Sequence, residues 1–262
     1  MKSRSPKIHA SHIAALLVLA VIAILVFCGY RTPAAEQIRS LSPSIATSTA
    51  SRTSLVPQKH APPDIVYGDR SRKIAIFTFD AGDTTQSAEG ILAALAKHHV
   101  KGTFFMTGKF IEANPDLVHR VVAAGHEIFN HTYDHKDLTK IPDSAVIAEL
   151  NGMDAVLSST TGLSTKPYFR APYGARDDRV RAAASADGYR SVYWTIDARD
   201  WMESRGETAD QVRQRILSKA VPGAIILMHL GDTLTAAVLD DVMTTLEGQG
   251  YTMVSLTQGL PQ

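Results

Sequence analysis

A single cysteine, Cys28, stands among 262 residues, so no disulfide can form within the chain and its core must hold the fold. A surplus of one charge is also missing, since 27 Lys and Arg face 26 Asp and Glu. That balance hides an uneven split: residues 1–68 carry 7 basic side chains against 2 acidic ones, and residues 69–262 carry 20 against 24. A mildly acidic globular part argues against a nucleic-acid binder driven by phosphate contacts. No internal repeat is visible. With 45% apolar and 20% charged residues the chain is globular rather than disordered, and its length allows one domain with a large core or two small ones.

What is present begins with Lys2, Arg4 and Lys7 ahead of an unbroken apolar run over 13–28, extended by Gly29 and Tyr30. A basic leader before such a run marks an export signal or a membrane anchor. Eighteen helical residues at about 1.5 Å each reach ~27 Å, just enough to span. The run exceeds the usual core of a cleaved signal, and the one weak cleavage site lies around Pro33-Ala34-Ala35. Residues 1–30 therefore read as an uncleaved anchor, with a cleaved signal as the alternative. The basic end stays cytoplasmic and the remainder lies outside the membrane. This describes a single-pass cell-membrane protein with an extracytoplasmic domain, or else a secreted or periplasmic one. Residues 31–68, rich in Ser, Thr, Ala and Pro, read as a flexible linker.

Over 69–262 apolar strands alternate with helical patterns. Strands are expected at 73–79, 102–106, 127–129, 168–169, 191–196, 224–229 and 251–255. Helices are expected at 87–98, 115–124, 143–158 with Asp143 as cap, 176–186, 208–219 and 234–249. Such alternation implies a parallel α/β domain, open or closed into a barrel, with functional groups just beyond the carboxyl ends of the strands.

The residues that end those strands are Asp80 followed by Asp83, Asn130 followed by His131 and His135, Arg170, Asp197 followed by Asp200 and Trp201, and His229. Each alone is ordinary, because carboxylates cap helices and a lone His is usually a core residue. Ionisable groups at five strand ends are not explained by capping and point to a concave charged site. Four residues apart on a helical turn, His131 and His135 would share one side and form a pincer for a divalent metal such as zinc. Thr132 stands where a metalloprotease pair carries its Glu, so a base must come from elsewhere.

Taken in order, Thr78-Phe79-Asp80, His131-x3-His135, Arg170-Ala171-Pro172-Tyr173, Asp197-x2-Asp200-Trp201 and Leu227-Met228-His229 resemble the polysaccharide deacetylases of the NodB-homology type, carbohydrate esterase family 4, over roughly residues 72–256. The resemblance implies a distorted (β/α) barrel that removes N-acetyl groups from peptidoglycan or a chitin-like aminosugar glycan with Zn2+, or with Co2+, Mn2+ or Ni2+. It implies His131 and His135 as metal ligands and Asp80 as general base, oriented by Arg170. His229 would be the general acid with Asp197 as its partner. The Tyr173 backbone amide would help hold the oxyanion, and Tyr173 and Trp201 would wall the sugar groove.

One position departs from the family pattern, which has a second Asp after Asp80 as metal ligand where this chain has Ala81. Asp83 is the candidate replacement, with a helix cap as its other reading, and Asp80 itself as a ligand stays open. Three functions follow: a glycan deacetylase, a catalytically degenerate cell-wall glycan-binding domain, and a metal hydrolase of another N-acyl bond. Oligomeric state leaves no mark in the sequence.

Overall fold

Within residues 69–262 the longest apolar runs become the central strands because each is covered on both faces. A computed structural model describes residues 61–261. In chain order the elements are β1 Ile74–Ala81, α1 Ala88–Lys97, β2 Thr103–Met106, α2 Gly108–Ala113, α3 Pro115–Ala123, β3 Glu127–Asn130, α4 Asp143–Thr161, β4 Tyr168–Phe169, α5 Asp178–Ala186, β5 Arg190–Ser191, β6 Ile196–Asp197, α6 Ala209–Lys219, β7 Ala224–His229, α7 Thr233–Gly248, β8 Thr252–Met253 and α8 Leu256–Gly259. The strands run in the order β5-β4-β3-β2-β1-β7-β6, with β8 beside the start of β1. Every strand pairing is parallel.

The curled sheet leaves a seam between β5 and β6, and a short stretch before β1 occupies it. Ile65 bridges to Val192 and Tyr67 to Ala224. The Ile65 N–H donates to Ser191 O and its carbonyl accepts the Tyr193 N–H, both at 2.8 Å. The result is the expected distorted (β/α) barrel. Residues 65 and 67, assigned by composition to the linker, make isolated bridges to this sheet. The expected anchor over 1–30 lies outside the described residues, as does most of the linker. Among the described residues no helix is long and apolar enough to cross a membrane.

Alternation along β1 sorts its side chains into two layers. Ala75, Phe77, Phe79 and Ala81 pack outward against α1, α6 and α7 in the main apolar cluster. Ile76 points inward, where it meets Phe105, Phe129, Val192, Ile225 and, from the C-terminal α8, Leu256. Burying a Phe such as Phe77 contributes on the order of 2–3 kcal/mol. Going up the interior, Ile76 gives way to Thr78 and Asp80, so the barrel is apolar below and polar at its carboxyl rim.

Two local expectations need correction, and one helix is added to them. The strand expected at 191–196 is two short strands, because residues 193–194 leave the ladder and stack their rings 3.8 Å apart. Asp143 does not cap α4; Pro142 holds the cap position, and Asp143 pairs with Arg179 of α5 at 2.6 Å. Helix α2 was not foreseen, being six residues long and capped by the Thr107 side chain, which accepts from the Phe110 N–H.

Candidate active site

Polar groups from five strand ends line one cavity of about 610 Å³ at the rim. Asp80, Asp83, His131, His135, Tyr173, Asp197, Trp201 and His229 all contribute to its wall, joined by Trp194 and Asp232. The strand register explains the meeting. Asp80 and His229 are direct partners across the β1–β7 ladder, and Asn130, which ends β3, pairs with Met106 of β2.

His131 and His135 do converge, with ring centroids 4.9 Å apart, but not on a helical turn. Residues 131–135 form a loop in which Thr132 and His135 adopt left-handed backbone angles of +69° and +55°. Each costs roughly 1–2 kcal/mol for a residue with a Cβ, so the loop must be held by its surroundings. Asn130 Oδ1 accepts the Thr132 N–H at 2.8 Å, and Thr132 Oγ1 accepts the His135 N–H at 3.1 Å. Tyr173, also left-handed at +60°, places its ring edge-on to His135 with centroids 4.6 Å apart. At 72% exposed, Tyr173 shares the open side of the cavity with Trp201 at 42%, two large aromatic faces presented to solvent.

Arg170 lies behind Asp80 as expected. It is fully buried, and its Nη1 donates to Asp80 Oδ1 at 2.6 Å and to Thr78 Oγ1 at 2.9 Å. Its Nη2 donates to the Tyr193 carbonyl at 3.1 Å, and its guanidinium covers the Phe105 ring at 4.1 Å. Burial alone would raise the pKa of Asp80, but the charge and hydrogen bond of Arg170, together with the nearby His131 and His229, outweigh it and hold the carboxyl below its ordinary value.

The partner of His229 is Asp200, not Asp197. His229 Nδ1 lies 2.9 Å from Asp200 Oδ1, and Asp200 is fully buried. Asp197 Oδ1 is instead occupied by the Arg199 N–H at 2.8 Å, closing a turn in which Arg199 is left-handed at +61°. That turn brings Asp200 back beneath β7. Burial by itself would lower the His229 imidazole; the hydrogen bond and charge of Asp200 override it and push the pKa up to about 9. Asp232 Oδ2 adds a second carboxylate 3.9 Å from the same Nδ1.

Among the described residues, Asp200, His229 and Asp232 are the one trio of candidate ligands whose donor atoms all lie within 4.8 Å of one another. They suit an acid better than a cation. A protonated imidazole cannot ligate, and Asp200 Oδ2 already accepts both the His229 N–H at 2.6 Å and the Thr235 hydroxyl.

The His131 and His135 side fits a divalent ion on different grounds. Burial drives His131 down to about 4 and lowers His135, so both are neutral near pH 7. His131 Nδ1 meets the Arg170 carbonyl at 2.9 Å, which fixes the proton there and leaves a lone pair on Nε2. That lone pair faces Asp80 Oδ2 at 3.6 Å. Two acceptors facing each other at that separation call for a donor or cation between or beside them, and an ion on His131 Nε2 would bring its bound water within reach of Asp80 Oδ2. Ala81 offers no donor and is buried in the apolar cluster. Asp83 lines the cavity but is exposed, and neither it nor Asp80 completes a trio with the two histidines whose donor atoms all lie within 4.8 Å of one another.

Comparison with known proteins agrees with this picture. Residues 67–192 match the family model described as polysaccharide deacetylase. The peptidoglycan-N-acetylmuramic acid deacetylase PdaA of Bacillus subtilis is 33% identical over 189 residues, covering 72% of each chain. Its solved structure superposes with a TM-score of 0.71 at 32% identity, over 75% of this chain and 84% of that one. The peptidoglycan-N-acetylglucosamine deacetylase PgdA of Listeria monocytogenes is 33% identical over 230 residues, 86% of this chain and 46% of that one. A family 4 carbohydrate esterase pseudoenzyme from Bacillus anthracis superposes with a TM-score of 0.72 at 29% identity, over 76% of this chain and 69% of that one. The chain belongs to the polysaccharide deacetylase family, hydrolases of carbon–nitrogen bonds.

Proposed function

We propose that this protein removes N-acetyl groups from an aminosugar glycan, peptidoglycan or chitin-like, outside the cytoplasmic membrane and with a divalent metal. The observation that carries the reading is the shared wall of one cavity, to which Asp80, His131, His135 and His229 all contribute. His131 and His135 would hold the ion, with Asp80 Oδ2 facing it. When bound, Zn2+ or a similar ion lowers the pKa of a water and polarises the amide carbonyl.

Asp80, kept ionised and oriented by Arg170, takes the proton from the attacking water as its oxygen bonds to the acetyl carbon. The tetrahedral oxyanion is held by a backbone donor at Tyr173, a contribution of roughly 3–4 kcal/mol in comparable sites. His229, charged near neutral pH, gives its proton to the sugar nitrogen as the C–N bond breaks, because an amine leaves poorly unless protonated. Acetate and a free amino sugar result. Tyr173 and Trp201 offer faces against which sugar rings pack. The basic leader and apolar run over 13–28 support tethering to the membrane, with the domain on the side of the wall.

The test is acetate release from N-acetylated peptidoglycan and chitin oligomers by the full chain with Zn2+, Co2+, Mn2+ or Ni2+. Release that stops with chelator and returns with metal is expected; none with any metal overturns the reading. A second reading, a degenerate glycan-binding domain, is favoured by Ala81 and by the likeness to a pseudoenzyme. It requires glycan affinity without bound metal and without acetate release.

A further inference from the structure

We propose that Glu149 of α4 is a positioning residue that presets the 131–135 loop, so that His131 and His135 already face one point before a cation arrives. The inference rests on the reading of those two histidines as metal ligands. Glu149 is 5% exposed, and its carboxylate lies under the loop. Its Oε2 accepts the N–H of Tyr133 at 3.0 Å and of Asp134 at 2.8 Å, while Oε1 takes Lys136 Nζ at 2.7 Å. A buried carboxylate receiving two backbone donors and an ammonium makes charge-assisted bonds stronger than neutral ones.

The opposite side of the same peptide units is also engaged. The carbonyls of Thr132 and Tyr133 accept from the N–H groups of Gly108 and Lys109, at 3.0 and 3.1 Å, in the first turn of α2. The Tyr133 ring fills space that is open because residue 108 is a glycine, and it packs close to Gly152. A Cβ at Gly152 would lie 3.3 Å from the Tyr133 Cβ, and one at Gly108 would collide with the ring. The two peptide units that join Thr132 to Asp134 are therefore clamped between α2 and α4. That clamp, with the Asn130 and Thr132 side chains on the N–H groups of Thr132 and His135, holds the left-handed angles at Thr132 and His135.

The test uses the full chain, solubilised in detergent, with Zn2+ and Co2+ as probes. Glu149→Gln keeps the volume but turns a donor toward at least one loop amide or toward Lys136. Its Zn2+ affinity should fall by about tenfold or more, the loss typical when a group supporting metal ligands is removed, with an altered Co2+ absorption spectrum. Lys136→Met, which leaves both backbone bonds in place, should stay within about threefold of wild type on the same scale. Zn2+ affinity of Glu149→Gln equal to wild type overturns the proposal, as does a wild type that binds neither ion.

Should Glu149→Gln fail to fold, amide exchange in the metal-free wild type decides. Amides 133 and 134 protected as well as those of β3 support the preset loop, and exchange at the rate of an open chain overturns it. Unchanged affinity alongside intact acetate release removes this role and leaves the deacetylase reading. A preset, zinc-binding loop with no acetate release does the reverse.

Discussion

Asp200 grips His229 at two points, one oxygen on the ring Nδ1 at 2.9 Å and the other on the backbone N–H of the same residue at 2.6 Å. The double hold turns Nε2 toward the cavity and keeps the ring charged up to about pH 9. A general acid works only while protonated, so activity falls as pH rises through its pKa. Asp200→Asn should therefore lower kcat by about a hundredfold or more and move the alkaline limb of the kcat/KM profile down toward the free imidazole value near 6.5. Asp197→Asn, which removes only a turn contact, should leave that limb in place. A limb that shifts for Asp197→Asn and not for Asp200→Asn would reverse the assignment.

The Asp80–Arg170 pair joins catalysis to stability. Arg170 is fully buried and Asp80 nearly so, and removing one member of a buried pair leaves the other charge unpaired at a cost of roughly 3–5 kcal/mol. Asp80→Asn should abolish acetate release and destabilise by about 3 kcal/mol, the lower end because the Asn oxygen still accepts from Arg170. Arg170→Met should fall at the upper end, and the double variant should cost less than the two singles combined. Urea unfolding of all three checks this; strictly additive losses would mean the pair is not coupled.

Two histidines outside the cavity set opposite pH dependences of stability. Burial would lower His98, but its hydrogen bonds to Asp240 at 2.8 Å and Glu247 at 3.0 Å raise it above its ordinary 6.5. A raised folded value means that its contribution is fully present below pH 6.5 and is lost as pH climbs through the folded pKa. His126, whose Nδ1 accepts the Gly102 N–H at 3.2 Å, is pushed by burial down to about 4. Between pH 6.5 and 4 the unfolded chain binds a proton at this residue that the native chain refuses, so stability falls as pH drops, by at most roughly 3 kcal/mol. Thermal melts from pH 4 to 9 should show His98→Gln flattening the alkaline side and His126→Gln flattening the acid side. The same slopes in either variant as in wild type would refute that residue's part.

The sequence revealed most where one force dominated. Segments 73–79 and 224–229 are apolar on both faces because helices cover one side and the barrel interior the other, and a continuous run is unmistakable. The strand ends carried their own signal, since ionisable groups after apolar runs have few structural reasons to recur. What stayed hidden depended on contacts distant in sequence. Asp197 and Asp200 are indistinguishable as letters; a left-handed Arg199 decides which of them reaches β7. The histidine pair suggested a helical turn because the i, i+4 spacing fits one, whereas the clamp between α2 and α4 imposes a loop. Glu149 did leave a trace: with Val146, Leu150, Met153 and Leu157 it occupies the buried face of α4, an acid among apolar neighbours that needs buried donors.

Metal content is where Ala81 matters most. Two imidazoles can hold a zinc whose other positions are filled by water, and Asp80 Oδ2, 3.6 Å from His131 Nε2, stands close enough to take a proton from such a water without help from position 83. Asp83 is exposed at the cavity edge, where binding an ion would mean drawing a solvated carboxylate inward. Asp83→Ala should thus leave Zn2+ occupancy of the full chain within about threefold of wild type, while His131→Ala or His135→Ala should lower it by about a hundredfold or more, as expected for loss of a direct ligand rather than of a supporting group. Metal analysis after dialysis against graded zinc buffers separates the cases. A fall for Asp83→Ala as large as for the histidine variants would make that residue the third ligand, and would mean that residues 82–84 move inward when the ion binds.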